Sequence, residues 1–138
     1  TDGHIDTLAR FIAPGIIVVD TPAVDDPQDP WVRVAARTRS EVAEARTVDG
    51  APFEVLSLRQ PTSRRGEGPD FLSTYMNYYV CNGAVIAPQF GDRAADARAE
   101  GALSEWFPGR EVVMLPIDAV AAGGGGIHCA TQQQPKVA

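Results

Sequence analysis

Tyr75-Met76-Asn77-Tyr78-Tyr79-Val80-Cys81-Asn82-Gly83-Ala84-Val85-Ile86-Ala87 sets an Asn-Gly pair between two apolar runs. Asn and Gly both tolerate the positive φ angles of a two-residue hairpin turn, so this stretch predicts a β-hairpin. It leads into Phe90-Gly91-Asp92, where Asp92 is placed to cap a helix. The alanine-rich run that follows reaches about Trp106, turns Leu103 and Trp106 inward, and is ended by Phe107-Pro108-Gly109. Glu111-Val112-Val113-Met114-Leu115-Pro116-Ile117 then reads as a strand. Hairpin, helix and strand together make a ββαβ unit.

The preceding sequence follows the same order. Ile5 to Ile12 and Ile16-Ile17-Val18-Val19 flank Pro14-Gly15, a second hairpin signal. An acidic, proline-punctuated loop from Asp20 to Pro30 leads to a helix over about Trp31 to Arg46, with Val32, Ala35, Ala36, Val42 and Ala43 near helical spacing. Asp49-Gly50 stops it, and Phe53 to Leu58 alternates as a strand. The polar loop from Arg59 to Asp70, with Arg64-Arg65 read as a solvated tip, separates the two units. Gly125 to Thr131 reads as the first strand of a third unit. The expected class is α/β, with units at about 1–58 and 73–117 and a terminal strand and tail over 123–138 that carries Cys129. Units of this kind cannot bury their sheets alone and must stack. An opening Thr1 and an unfinished third unit therefore predict a C-terminal fragment of one larger domain, with exposed strand edges and apolar surface.

A net charge of −6 over 138 residues excludes the basic stripe that nucleic acid or an anionic membrane requires. No apolar run approaches the ~20 residues of a membrane span, and the sequence does not open on a charged n-region followed by an apolar h-region, so no signal peptide is expected in it. Cys81 and Cys129 do not form a secreted disulfide framework, so a reducing cytoplasm is expected. No His or Cys spacing suits a metal. The glycine run lacks the Lys-Ser/Thr of a phosphate loop.

The chemistry-bearing residues lie near the two ends. Ala122-Gly123-Gly124-Gly125-Gly126-Ile127-His128-Cys129 puts a thiol after a backbone almost bare of side chains, open to a flat polar ligand. An ordinary thiol is only a few per cent thiolate at pH 7, so it needs a positive neighbour or substrate. On spacing alone Cys129 reads as either a nucleophile or an inert thiol, while Cys81, midway along an apolar strand, reads as inert. Gly3-His4-Ile5-Asp6 sets His4 and Asp6 on one face if the segment is a strand. They are either an acid/base with a cation anchor or surface residues with local hydrogen bonds. His128 would face away from Cys129 in a strand and reads as a packing or hydrogen-bonding residue.

Five blocks together resemble the agmatine deiminase family of guanidine-modifying enzymes, the penteins. They are Thr1-Asp2-Gly3-His4-Ile5-Asp6, Tyr75-Met76-Asn77-Tyr78-Tyr79, Ala87-Pro88-Gln89-Phe90-Gly91-Asp92, Phe107-Pro108, and Gly123 through Pro135. The resemblance implies part of a five-bladed α/β propeller of ββαβ units, without metal or organic cofactor. It implies Cys129 as nucleophile, His4 as general acid/base and Asp6 as a guanidinium-binding carboxylate. The implied reaction, in polyamine metabolism, hydrolyses agmatine to N-carbamoylputrescine and ammonia through an amidino-cysteine. A carboxylate grips a planar guanidinium in bidentate fashion, and the bound cation favours the thiolate. The family usually carries asparagine at the position of Gly126. Its N-terminal half supplies a second clamping aspartate in a Trp-x-Arg-Asp block, which Trp31-Val32-Arg33-Val34 does not replace. Little activity is therefore expected of this chain without that half or another chain; a homo-oligomer is compatible with the resemblance. The competing readings are a deiminase of free or peptidyl arginine and a non-catalytic fragment or interaction subunit. A cysteine peptidase or amidase is disfavoured because it leaves Asp6 without a role.

Overall fold

The β-branched runs around Pro14-Gly15 pair as antiparallel strands β1 (Ala9–Ala13) and β2 (Ile16–Thr21) in a computed structural model that describes residues 4–135. Thr1, Asp2 and Gly3 of the first block, and 136–138 of the tail, lie outside the described residues. Gly15 takes φ 78°, a left-handed turn conformation that favours glycine. Helix α1 (Pro30–Glu44) starts where the Asp29 carboxylate accepts from the Trp31 amide and Pro30 occupies the first turn. It returns the chain to β3 (Glu54–Arg59), parallel to β2. The sheet order is β1-β2-β3.

The second unit has the same topology. Strand β4 (Tyr79–Cys81) turns at Asn82-Gly83 into β5 (Ala84–Gln89), antiparallel to it. Helix α2 (Arg93–Trp106) and β6 (Glu111–Pro116), parallel to β5, complete the sheet β4-β5-β6. Asp92 caps α2 by accepting from the Ala95 amide, as expected. Hydrogen bonds from the Thr62 hydroxyl, then from the Ala95 and Thr62 amides, hold its carboxyl well below the ordinary range. A single-turn helix α3 (Asp118–Ala121) follows.

Ile17, Val18, Val19 and Asp20 are buried in succession rather than in alternation, as a central strand covered on both faces requires. Val18 joins Leu58, Phe71, Tyr75, Met76, Phe90, Ala95 and Ala99 in one cluster, so the two units share a core. The Phe90 ring meets Tyr75 edge-on at 5.3 Å between centroids. Buried Asp96 ties this cluster together, accepting from the Tyr75 hydroxyl (2.7 Å), the Phe90 amide (3.0 Å) and the Gly91 amide (2.9 Å). Asp96→Asn sets its NH2 group against the Gly91 N–H donor. It is expected to cost about 2 kcal/mol in urea unfolding.

Three segments depart from the sequence reading in addition to Tyr75–Tyr78, which precedes β4 rather than forming its start. Ile5–Thr7 is a 3₁₀ turn and not a strand, because the Thr7 amide and hydroxyl both donate to the His4 carbonyl. The expected opening strand of a third unit over 125–131 is also a turn: His128–Ala130 forms 3₁₀ geometry after Gly124 at φ 76°. Glycine has little strand preference, and among the described residues no strand lies beside it to pair. Arg64-Arg65 is not a free solvated tip. Arg64 stacks on Phe71, while Arg65 pairs with Asp118 at 3.0 Å and donates to the Gln89 carbonyl. Apolar surface is exposed at Ile5, Phe11 and Val48, and strands β1, β3, β4 and β6 are edges. Among the described residues no helix is long and apolar enough to cross a membrane.

Candidate active site

Three segments converge at one point. Asp6 comes from the turn before β1, Asn77 from the buried run before β4, and His128 and Cys129 from the turn after the glycine run. Because 128 and 129 lie on a 3₁₀ turn, successive side chains need not oppose each other as they would in a strand, and both reach Asp6. His128 Nδ1 lies 2.7 Å from Asp6 Oδ2, which corrects the outward orientation expected for His128. Cys129 Sγ lies 3.7 Å from the same oxygen. The Asn77 carboxamide donates to Asp6 Oδ2 at 3.0 Å and to Cys129 Sγ at 3.3 Å.

The structure therefore brings Asp6 and Cys129 together. His4 precedes this turn with its side chain exposed and makes no side-chain hydrogen bond among the described residues. Cys129 is exposed, whereas Cys81 is half-buried with its thiol 3.6 Å from the Ala84 carbonyl. Desolvation pushes the Asp6 carboxyl up. The hydrogen bonds from His128 and Asn77, the His128 charge and the Cys129 contact outweigh it, and the carboxyl settles below its ordinary value. Asp6 Oδ2 has three partners, whereas Oδ1 is buried without one among the described residues.

Arg10 on β1 braces the same point. It donates to the carbonyls of Met76 and Tyr78, on either side of Asn77, and stacks over the Tyr78 ring at 4.1 Å. Arg10 lies in no block that marks a role, and Asn77 lies in the Tyr75–Tyr79 block without being singled out there; their spacing to Cys129 in the chain is long, and only tertiary folding joins them. A cavity of about 390 Å³ lies alongside, lined by Asp20, Trp31, Phe71, Thr74, Gly123 and Gly124 among others, but it includes neither Asp6 nor Cys129. Among the described residues no three His, Cys, Asp or Glu side chains cluster as a metal site.

The sequence profile of the Porphyromonas-type peptidyl-arginine deiminase family matches residues 1–135. An agmatine deiminase of Medicago truncatula is 33% identical, with 99% of this chain and 41% of that protein aligned. An agmatine deiminase of Pseudomonas fluorescens is also 33% identical, over 98% of this chain and 41% of its own length. Among solved structures, the agmatine deiminase of Enterococcus faecalis superposes with a TM-score of 0.83 at 30% identity, covering 99% of this chain and 41% of that one. The chain thus spans about two-fifths of the length of these relatives.

Proposed function

The chain belongs to the Porphyromonas-type peptidyl-arginine deiminase family, and from that premise we propose that it is the nucleophile-bearing portion of a cytoplasmic agmatine deiminase of polyamine metabolism. Its two ββαβ units are part of an α/β propeller. The observation that carries the reading is Asp6: its Oδ2 stands 3.7 Å from the Cys129 sulfur, and its Oδ1 has no hydrogen-bond partner among the described residues. A guanidinium held by Asp6 brings its central carbon against that sulfur, and its charge favours loss of the thiol proton.

Cys129 attacks the guanidinium carbon and an S–C bond forms. The bond to one terminal nitrogen breaks, and His4 protonates the departing ammonia. Water, deprotonated by His4, then adds to the amidino carbon; the S–C bond breaks, the thiolate returns, and the product urea oxygen comes from that water. The second carboxylate clamp comes from sequence outside this chain. A guanidinium held on one side only loses orientation, and misplacement of about 1 Å costs ~100-fold in rate.

The test has two arms. The complete protein is expected to release ammonia from agmatine faster than from arginine, and a haloacetamidine is expected to label Cys129 in preference to Cys81. Faster turnover of free or peptidyl arginine establishes the second reading, which the family description favours. Equal labelling of both thiols points to a non-catalytic interaction subunit. The 138-residue chain alone is expected to release little ammonia; an ordinary enzymatic rate from it overturns the need for a further clamp.

A further inference from the structure

We propose that the cavity beside Asp20 is a binding site for a primary alkylammonium ion, with the Asp20 carboxylate as its counter-charge. The proposal goes beyond the reading of Cys129 as nucleophile and does not depend on it. Asp20 is buried on β2 and lines the cavity of about 390 Å³. That volume falls within the roughly 300–1,000 Å³ of small-molecule sites. Asp20 Oδ1 accepts from the Thr74 hydroxyl at 2.6 Å and Oδ2 from the Gln60 carboxamide, both neutral donors. Among the described residues no ion pair reaches it. A buried carboxylate is ordinarily paired with a cation, because neutral donors return only part of the hydration it loses. The cavity gives a cation from solution access to it.

The surrounding charges fix the sign of the ligand. Asp29, from the cap of α1, and Asp70, from the loop before β4, line the cavity with Asp20, and Arg64 is the cation among its lining residues. Arg64 lies over the Phe71 ring and spends its donors on the Phe71 and Gly68 carbonyls and the Ser73 hydroxyl, so it does not neutralise Asp20. Asp20 also borders a second cavity, of about 360 Å³, whose other charged residues are Asp25, Arg39 and Arg59. There two arginines balance two carboxylates, and both are engaged elsewhere, Arg39 with the Ser57 hydroxyl and Arg59 with the Ala23 carbonyl. The excess of negative charge therefore lies on the side of the first cavity. Among the described residues no His, Cys, Asp or Glu side chains cluster for a metal ion, which points to an organic cation. Leu8, Ala35, Trp31 and Phe71 offer apolar wall to its alkyl chain, and aromatic faces attract its charge. Each Asp20 oxygen already accepts one hydrogen bond. A compact ammonium fits the remaining lone pairs better than the two-point fork of a guanidinium.

Calorimetric titration of the complete protein with n-butylamine tests the site. The amine stays charged at both pH 5 and pH 8. Burial pushes the Asp20 carboxyl up to about 7, opposed by the Thr74 and Gln60 hydrogen bonds and by no charged neighbour. The carboxylate is thus the minor form at pH 5 and the major form at pH 8, and affinity is expected to be ~100-fold higher at pH 8. The neutral isostere n-butanol is expected to bind at least ~10-fold more weakly than the amine at pH 8. Asp20→Asn removes the charge and keeps the shape. It is expected to weaken butylamine binding at pH 8 at least ~10-fold and to flatten its pH dependence, with Asp25, Asp29 and Asp70 still in place. Affinity indifferent to pH, matched by butanol, or retained in Asp20→Asn overturns the proposal; the first two readouts need no variant. A second arm separates a free amine from the ammonium tail of a substrate held at Cys129. Protein labelled at Cys129 by a haloacetamidine is expected to bind butylamine as the unlabelled protein does. Loss of binding on labelling assigns the ammonium to that substrate and overturns a site of its own. Titration reads no turnover. Butylamine binding in a protein that releases no ammonia sinks the proposed function and leaves the cation site standing; an active protein that ignores butylamine does the reverse.

Discussion

Cys129→Ala is expected to lower ammonia release from agmatine by the complete protein at least ~10⁴-fold, whereas Cys81→Ala changes it by less than about twofold. Loss of a nucleophile removes the covalent route entirely and leaves only binding and electrostatics to assist attack by water. The geometry argues that this loss is chemical and not a collapse of the site. The Cys129 amide still donates to Asn77 Oδ1, and the His128 amide still donates to the Asn77 carbonyl, because neither bond uses the sulfur. The His128–Asp6 contact at 2.7 Å is likewise independent of it. The variant is therefore expected to bind agmatine while turning it over negligibly. Mass spectrometry of the parent quenched during turnover is expected to find the amidino group on Cys129. Residual turnover within tenfold of the parent, or an adduct on Cys81, excludes Cys129 as the nucleophile.

The parts of this molecule legible in its sequence are those decided by short-range chemistry. Asn82-Gly83 accepts the backbone of a tight turn and Asp92 starts α2; each acts within a few residues, and each is found in the structure. The errors fall where long-range contacts override local pattern. Tyr75 to Tyr78 are apolar enough for a strand, but they are buried against both units with Arg10 on their carbonyls, so β4 begins only at Tyr79. Arg64 and Arg65 look solvated in a polar loop until Phe71 and Asp118 arrive from elsewhere in the chain. The site divides in the same way. Cys129 and Asp6 stand out by their neighbours in sequence, whereas Asn77 and His128 lie in quoted blocks but take their partners through the three-dimensional meeting of distant segments.

Asp20→Asn is expected to stabilise the fold at pH 8 by about 4 kcal/mol and to remove most of the pH dependence of stability between pH 4 and 7. Asp20 ends the buried run of β2 with only 6% exposure. Burial pushes its carboxyl up to about 7, and the hydrogen bonds from Thr74 and Gln60 only partly oppose that shift. In the unfolded chain the group ionises near pH 3.8, so between that pH and about 7 the native state binds the additional proton. Stability must then fall as pH rises through this window and level off above it. Asparagine has no proton to lose. Its oxygen can accept from the Thr74 hydroxyl as Asp20 does at 2.6 Å, and a flipped Gln60 amide can accept from its nitrogen. The consequence reaches the proposed site, because Thr74 Oγ1 also accepts from the Met76 amide, one residue before Asn77. Urea unfolding of parent and variant at pH 5 and pH 8 measures the effect. Parallel pH dependence of the two proteins rules out Asp20 as the buried group that loses its proton, and a variant less stable at pH 8 shows that the carboxylate is the form the fold prefers.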